Sequence, residues 1–310
     1  MMNGVIVIDK PAGKTSHAVV SDVKKALGIR KAGHTGTLDP LATGVLPVCL
    51  NEATKLAGFL SGADKEYLAT MLLGVKTDTM DTEGKIVEQS EKLPSEEAIR
   101  LIMSHMMGII KQVPPAYSAV KYQGKPLYKW ARGGVMLDVK PREVTIYSMG
   151  VENISLPRVT FRVTCSKGTY IRTLCSDIGD ALGVGACLCG LRRLKSGIFT
   201  EDMAVVLSND GGDDRKEDLV SKILPMTDLL PRTATIELKD LCAVKLRNGW
   251  QPSVEMLKEY DLPLLKTGDM VKFISRGCLL AIAEMLTPAN NLSQCDGKTQ
   301  AARIVRVFNY

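Results

Sequence analysis

Residues 30–47 are the part of the chain whose residue types could do chemistry most directly. This stretch of eighteen residues holds Asp39 and His34 among three glycines and two prolines. Glycines let a substrate approach the backbone closely, and Pro40 keeps Asp39 extended or in a turn. Such an aspartate is either an exposed reacting carboxylate or the cap of a following helix or turn, and the pattern leaves both interpretations open. The glycine spacing lacks the Gly-Lys-Ser/Thr of a phosphate-binding loop.

Arg172 is a second candidate, because it follows a turn at Gly168 and lies at the start of a predicted helix. At 100° per residue, it lies on the border of the apolar stripe formed by Ile171, Leu174 and Ile178. A border arginine usually extends its apolar stem along the protein surface. The alternative is a guanidinium that turns inward to hold a carboxylate, which would lower the pKa of that carboxylate and keep it ionised at pH 7.

Two segments combine several cations. Residues 121–134 contain four Lys or Arg with three aromatic residues and three glycines, and residues 191–195 add three further cations. Cations with aromatic rings on a mobile loop suit a folded RNA, whose phosphates they contact by charge and whose unstacked bases they contact by stacking. A solvated surface loop is the alternative. The formal net charge of +6 favours RNA contact.

The composition bounds the class of protein. The chain has 310 residues, of which 45% are apolar and 24% charged, as in a globular protein of two domains. No apolar run has the length of about 18–20 residues that a membrane span needs, and residues 1–10 predict a first strand rather than a secretion signal. The eight cysteines never form Cys-x-x-Cys. We therefore expect reduced, buried thiols in a cytoplasmic protein, with neither disulfides nor a metal site.

Hydrophobic periodicity predicts the elements that position these residues. Strands are predicted at 4–9, 67–75 and 159–165, and helices at 15–27, 94–107 and 169–182, with glycines ending the helices. Tyr67 is expected at the first position of its strand. Strands and helices in irregular order, without a βαβ repeat, favour an α+β fold with an antiparallel or mixed sheet.

A change of composition at residues 208–222 predicts a linker or surface loop, since small, acidic and flexible residues dominate there. After about residue 232, three short strand-like segments follow at 269–275, 278–285 and 301–308. We therefore expect one domain at residues 1–231 and a small β domain at residues 232–310.

Eight sequence strings occur in one order along nearly the whole chain. They are NGVIVIDKP (3–11), GHTGTLDPLATGVLP (33–47), EATK (52–55), DKEY (64–67), TDTMD (77–81), PPAYSAVK (114–121), CSKGTYIRT (165–173) and LRR (191–193). In these strings the chain resembles the TruB family of pseudouridine synthases, the tRNA pseudouridine-55 synthases of bacteria. The resemblance implies isomerisation of one T-loop uridine of tRNA: the N-glycosidic bond breaks, the uracil turns, and C5 bonds to C1′. No cofactor or metal is implied.

The resemblance also assigns residues. Asp39 matches the essential aspartate, which acts as a nucleophile at the base or the sugar, or as the base that removes a sugar proton. Arg172 matches the arginine that pairs with it, and Tyr67 the ring that packs on the target base and is a candidate for removing the C5 proton. His34 matches the residue inserted near the vacated position of the flipped nucleotide. The remaining matches line the pocket: Lys10, Pro11, Tyr170 and Leu191.

Residues 117–147 match an insertion that grips the T stem-loop, with Lys121, Lys125 and Lys129 as expected RNA contacts, and residues 232–310 resemble a PUA-type RNA-binding domain. A stand-alone, monomeric cytoplasmic enzyme without guide RNA or membrane attachment is implied. One alternative is the relative that acts inside a guide-RNA particle, which the insertion and the lack of long lysine-rich tails disfavour. The other is a non-catalytic tRNA-binding or folding-assisting protein, which the intact catalytic set disfavours.

Overall fold

The computed structural model describes residues 2–135, 137–207 and 213–310. The strands among them are β1 (Gly4–Lys10), β2 (Ala32–His34), β3 (Thr43–Leu50), β4 (Lys65–Leu73), β5 (Val75–Thr77), β6 (Ile86–Gln89), β7 (Gly108–Gln112), β8 (Lys121–Tyr122), β9 (Lys125–Pro126), β10 (Arg142–Ser155), β11 (Arg158–Cys165), β12 (Ala186–Ser196), β13 (Phe199–Thr200), β14 (Leu224–Pro225), β15 (Ala234–Glu237), β16 (Met270–Ser275), β17 (Cys278–Met285) and β18 (Ala302–Val307). The helices are α1 (Ser16–Leu27), α2 (Ala57–Ser61), α3 (Glu96–His105), α4 (Leu127–Arg132), α5 (Ile171–Ala181), α6 (Asp213–Ser221), α7 (Asp240–Arg247) and α8 (Val254–Leu257).

Ten of these strands form one mixed sheet, which confirms the predicted α+β fold. The order is β14-β1-β3-β12-β4-β11-β10-β7, with β2 added to β3 and β13 added to β12. The pair β3–β12 is parallel, and its register places Thr43 beside Arg192 and Gly44 beside Arg193. The end of the 33–47 segment therefore lies directly against the 191–195 segment, although about 150 residues separate them in the chain.

The predicted helix α1 is confirmed at both ends. The Thr15 side chain accepts a hydrogen bond from the Ala18 N–H at its start, and Gly28 ends it with a φ of 67°. Helix α3 is capped by Ser95 and ends at His105, earlier than its apolar pattern predicted. Helix α5 begins at Ile171, two residues after the predicted start.

Strand β4 shows strict alternation of buried and half-buried residues, with Tyr67, Ala69 and Met71 in the main core. The strand begins at Lys65, so Tyr67 is its third residue and the prediction that it comes first was wrong. The main core lies between this face of the sheet and helices α1, α3 and α5.

The predicted linker at residues 208–222 was wrong in its second part. Residues 213–221 form helix α6, because Leu219 is buried in the main core and holds the segment against it. Residues 208–212 lie outside the described residues.

The C-terminal residues form the expected small β unit, a four-stranded sheet in the order β15-β16-β17-β18. It packs on the face of the large sheet opposite the main core: Ile282 and Phe308 share a buried cluster with Val5 and Val7. Close to this cluster, the backbone N–H of Asn309 donates to the Glu52 carboxylate at 2.8 Å.

No helix among the described residues is long and apolar enough to cross a membrane. All eight cysteines are free thiols, as expected. Four of them are buried and four are half-buried, so the expectation of burial holds for only half of them.

Candidate active site

Asp39 lies in the loop between β2 and β3, and the loop is anchored on both sides of it. The Ser16 hydroxyl donates to the Leu38 carbonyl and accepts from the Leu38 N–H, both at 2.8 Å. The N–H of Ala42 donates to the Asp39 carbonyl at 3.1 Å, which closes a turn with proline in its second position. The Leu38 side chain is buried in the core while 38% of the Asp39 side chain is exposed. The fold therefore presents this carboxylate at the surface of an otherwise fixed turn.

Lys10 supports the turn from beneath. Its side chain is fully buried, and Nζ donates to the carbonyls of Ala42 at 2.5 Å, Pro11 at 2.9 Å and Pro40 at 3.2 Å. Burial lowers the pKa of Lys10 to about 8, while the charge of Asp39 acts in the opposite direction. Lys10 is thus held by backbone carbonyls close to the site.

Arg172 turns inward and its guanidinium is almost fully buried. Nε lies 2.9 Å from Oδ2 of Asp39, while Nη1 donates to the Thr79 carbonyl at 2.9 Å and Nη2 to the Tyr117 carbonyl at 2.8 Å. The Nε–H is not aligned with an acceptor among the described residues, so the contact with Asp39 is an ion pair rather than a well-directed hydrogen bond. The prediction of an inward arginine that holds a carboxylate is confirmed, and the surface-stem interpretation was wrong.

Asp81 is a second carboxylate beside Arg172, and it was not among the site residues predicted from the sequence. Its Oδ2 lies 3.6 Å from Nη1 of Arg172. Its Oδ1 accepts from the Thr79 hydroxyl at 2.6 Å and from the Glu83 N–H at 3.1 Å. Because Asp81 is buried, its charge holds the arginine on the side away from Asp39. The string TDTMD (77–81) contained this signal, since its hydroxyls and carboxylates can bond one another locally.

Burial raises the pKa of Asp39 above its usual value, and this effect outweighs the lowering by Arg172. Asp81 raises the pKa further, whereas Lys10 lowers it. The arginine lowers the pKa of its carboxylate, as predicted, but the net shift is upward because burial disfavours the charged form more than the ion pair favours it. A carboxylate with a raised pKa is also a stronger nucleophile and base than an ordinary aspartate.

Tyr67 and Tyr170 both lie within the electrostatic reach of Asp39. Burial raises the pKa of each phenol, and the negative charge of Asp39 raises both further. Tyr170 precedes α5, where Gln112 accepts from its N–H at 3.0 Å and donates to its carbonyl at 3.3 Å. The charge of Asp39 thus acts on both predicted rings, one on a central strand and one directly before a helix.

The other predicted pocket residues lie at different depths. His34 is half-buried on β2, and burial together with the Arg193 charge lowers the pKa of its imidazole. Leu191 is half-buried on β12, where its carbonyl accepts from the Thr43 hydroxyl at 3.4 Å. Pro11 is exposed and contributes its carbonyl to Lys10.

The predicted RNA-contacting lysines are on an ordered unit. Strands β8 and β9 form a hairpin whose turn contains Gly124 with a φ of 80°, and α4 follows directly. Lys121, Lys125 and Lys129 are exposed on it, and Nζ of Lys125 lies 4.2 Å from the centre of the Trp130 ring. These residues thus form a hairpin and a short helix, while the mobility of the segment stays a prediction.

The second basic segment is not a free patch. The guanidinium of Arg192 binds Asp9 through two contacts of 3.0 Å and Glu201 at 2.5 Å. Arg193 is 1% exposed. Within the described residues, no group of three or more His, Cys, Asp or Glu side chains is placed to share a metal ion.

Two family models cover most of the chain. The model described as "TruB family pseudouridylate synthase (N terminal domain)" matches residues 24–171, and "tRNA pseudouridylate synthase B C-terminal domain" matches residues 172–230. The chain belongs to the TruB family of pseudouridylate synthases. It is therefore an isomerase. The junction of the two matches falls at Arg172 inside α5, so both matched segments contribute to the site around Asp39.

Two curated relatives of this TruB-family chain are named tRNA pseudouridine synthase B. The protein from Syntrophus aciditrophicus is 53% identical over 99% of each chain. The protein from Geobacter sulfurreducens is 40% identical over 99% of this chain and 100% of its own.

Two solved structures similar to this TruB-family chain come from larger assemblies. One, described as a Cbf5-Nop10-Gar1 complex, has a TM-score of 0.73 at 32% identity and covers 99% of this chain and 85% of its own. Another, an H/ACA RNP bound to a substrate RNA containing 2′-deoxyuridine, has a TM-score of 0.73 at 30% identity, over 100% and 86% of the two chains. The shared fold thus extends over the whole chain, the C-terminal sheet included.

Proposed function

We propose that this enzyme converts the T-loop uridine of tRNA, position 55, to pseudouridine without a guide RNA. The observation that carries the proposal is the Asp39–Arg172 pair, a carboxylate accessible to a substrate beside an arginine that is buried and held by two carbonyls. The relatives named tRNA pseudouridine synthase B support the choice of tRNA, because they match the chain from end to end.

Asp39 is the proposed reacting group. Arg172 approaches Oδ2, and no hydrogen bond from the described residues reaches Oδ1, so one oxygen is available to the substrate. As a nucleophile at the base or at the sugar, the carboxylate would form a covalent intermediate that divides one difficult step into two. As a base, it would instead remove a sugar proton. In each route N1–C1′ breaks, C5–C1′ forms, the proton on C5 leaves and N1 gains a proton.

The neighbouring side chains have proposed roles that follow from their positions. Tyr67 packs on the target uracil, and its deprotonated phenol oxygen accepts the C5 proton in the last step. Tyr170 and Leu191 line the pocket for the flipped uridine, with Lys10 and Pro11 at its base. The carbonyl contacts of Lys10 support this, because they fix the turn that carries Asp39.

Base flipping requires contacts that offset a few kcal/mol of lost stacking. We assign them to residues 117–147, where Lys121, Lys125 and Lys129 contact phosphates of the T stem-loop. His34 fills the space that the flipped nucleotide leaves in the loop.

The proposed domains are residues 1–231 for catalysis and 232–310 as a PUA-like RNA-binding unit, and the active form is a cytoplasmic monomer. The buried cluster between the two sheets supports a fixed arrangement of these units during RNA binding.

The test uses purified protein and an unmodified tRNA transcript with no guide RNA. Chemical mapping of pseudouridine by reverse transcription is expected to give one new stop, at the T-loop uridine. A transcript with cytidine at that position is the control and should give none. Absence of product, or product only after a guide RNA is added, would contradict the proposal.

A further inference from the structure

Arg193 is a buried cation without a carboxylate partner. It is 1% exposed, and the ion pairs formed by the described residues do not include it, although its neighbour Arg192 has two carboxylate partners. A buried charge without a counter-ion is costly unless other groups satisfy its donors. The contacts that compensate Arg193 therefore indicate what it is for.

Those contacts come from both sides of Asp39. The Nε–H donates to the Val45 carbonyl at 2.7 Å, and the two terminal nitrogens to the carbonyls of Gly36 at 3.1 Å and Thr37 at 3.5 Å. One planar group thus ties the chain that enters the catalytic turn to the chain that leaves it.

The backbone at this place is fitted just as closely. Gly44 has a φ of 95° and lies beside Arg193 in the parallel pair of strands. A Cβ on Gly44 would lie 2.3 Å from the carbonyl oxygen of Arg193. The approach of β3 to β12 therefore leaves no room for a side chain at Gly44. The backbone of Arg193 is held close to β3, and this fixes where its side chain starts.

The same arginine also faces the proposed C5 base. Tyr67 is the register partner of Arg193 across β4 and β12 and is 8% exposed. Burial raises the pKa of the Tyr67 phenol, the guanidinium of Arg193 lowers it, and the charges of Cys165 on β11 and Asp39 in the loop raise it. Arg193 is the cation that opposes the other three effects.

We propose that Arg193 is a positioning residue that holds the Asp39 turn and the Tyr67 hydroxyl in one fixed relation. The inference rests on the proposed function, in which these two groups act on the same uracil. Lysine cannot replace the arginine, because a single ammonium cannot donate to carbonyls on both sides of the turn in the fixed directions of a planar guanidinium.

The experiment compares Arg193→Lys and Arg193→Met with Arg192→Lys, a matched control on the same strand. For both Arg193 variants kcat on tRNA is expected to fall about 100-fold, the cost of a displacement near 1 Å, while KM stays near the wild-type value. The control should keep the wild-type kcat. Unchanged tRNA affinity will show that a variant is folded. If Arg193→Met does not fold, the kcat of Arg193→Lys alone tests the inference.

The pH profile separates positioning from a purely structural role. Removal of the positive charge raises the pKa of Tyr67, so the pH at which kcat reaches its plateau should move upward in Arg193→Met and less in Arg193→Lys. A folded Arg193→Lys with wild-type kcat would overturn the inference, and so would an equal loss at every pH. If the wild-type protein makes no pseudouridine in tRNA, the proposed function fails instead, which is a distinguishable result.

Discussion

Residues 121–132 and residues 191–195 are both rich in cations, yet the fold uses them in opposite ways. Lys121, Lys125 and Lys129 are exposed on a hairpin and a short helix, where they can exchange counter-ions for phosphates. Arg193 is buried and bonded to backbone carbonyls around Asp39. The three lysines can change RNA affinity, whereas Arg193 can change the geometry of the site through its contacts around Asp39. On the proposed function, similar charge in the sequence would therefore serve RNA binding in the first segment and, through Arg193, catalysis in the second.

Arg172 connects the start of the insertion with the turn that carries Asp39. One terminal nitrogen donates to the carbonyl of Tyr117, where the insertion begins, and Nε pairs with Asp39. A change at Arg172 is thus expected to affect catalysis strongly while the exposed lysines still bind RNA.

The largest effect among these tests is expected from Arg172→Lys. Lysine keeps the charge but cannot contact Asp39 and two carbonyls in fixed directions, so the single-turnover rate should fall about 100-fold. The dissociation constant for tRNA should change by less than about two-fold, because the exposed cations remain. Quench-flow with tritiated tRNA measures the first quantity and filter binding the second.

Arg162→Lys is the matched control for this test, since Arg162 is a half-exposed arginine paired with Glu66 and Glu152 on the sheet surface. It should keep the wild-type rate. A wild-type rate in Arg172→Lys would show that the planar grip on Asp39 has no catalytic role.

A smaller effect is expected when Lys121, Lys125 and Lys129 are changed together to Gln. The tRNA affinity at 0.1 M salt should fall about ten-fold, and the slope of log K against log salt should decrease by about two, since up to three phosphate contacts are lost. The rate at saturating protein should stay near wild type. Binding titrations at several salt concentrations give both values.

Lys25→Gln with Lys92→Gln removes charges outside the insertion and serves as the control, with little change expected in the slope. Two results would contradict the separation of RNA binding from catalysis. One is an unchanged slope of log K against log salt in the triple variant, and the other is a loss of its rate at saturating protein.

The smallest effect concerns pH. Because burial raises the pKa of Asp39 above the ordinary value of 3.8, the carboxylate loses its charge at a higher pH than a free aspartate does. The single-turnover rate should therefore fall on the acid side with a midpoint above 3.8, as the carboxylate is protonated. A rate that stays constant down to that pH would show that Arg172 outweighs burial.

Local signals in the sequence were sufficient to predict several helices and strands. The cap at Thr15 and the left-handed Gly28 give the ends of α1, because capping and periodicity act within a few residues. The ordered strings also placed Asp39, Tyr67 and Arg172 together before their geometry was known. Helix α6 was missed, since its polar composition resembles a linker and its contact with the core through Leu219 is not visible in the sequence.

The roles of the buried cations could not be predicted from local pattern. Lys10 bonds a carbonyl 32 residues away, and Arg193 bonds one 148 residues away, so the partners are known only once β1, β3 and β12 are assembled. The direction of the pKa shift of Asp39 could not be predicted for the same reason, because it depends on burial and on charges from distant segments. The sequence string around Asp81 was visible, but its contact with Arg172 was not.

The assignment of the chemistry to Asp39 is tested most directly by measuring both tRNA binding and pseudouridine formation for Asp39→Asn. Asp39→Ala is measured in parallel, because deamidation of an introduced amide would restore the carboxylate. We predict that both variants bind tRNA with a dissociation constant within about two-fold of wild type, since the exposed cations are untouched, and form no pseudouridine while wild type runs to completion. Substantial turnover by either variant would contradict the assignment of the chemistry to Asp39.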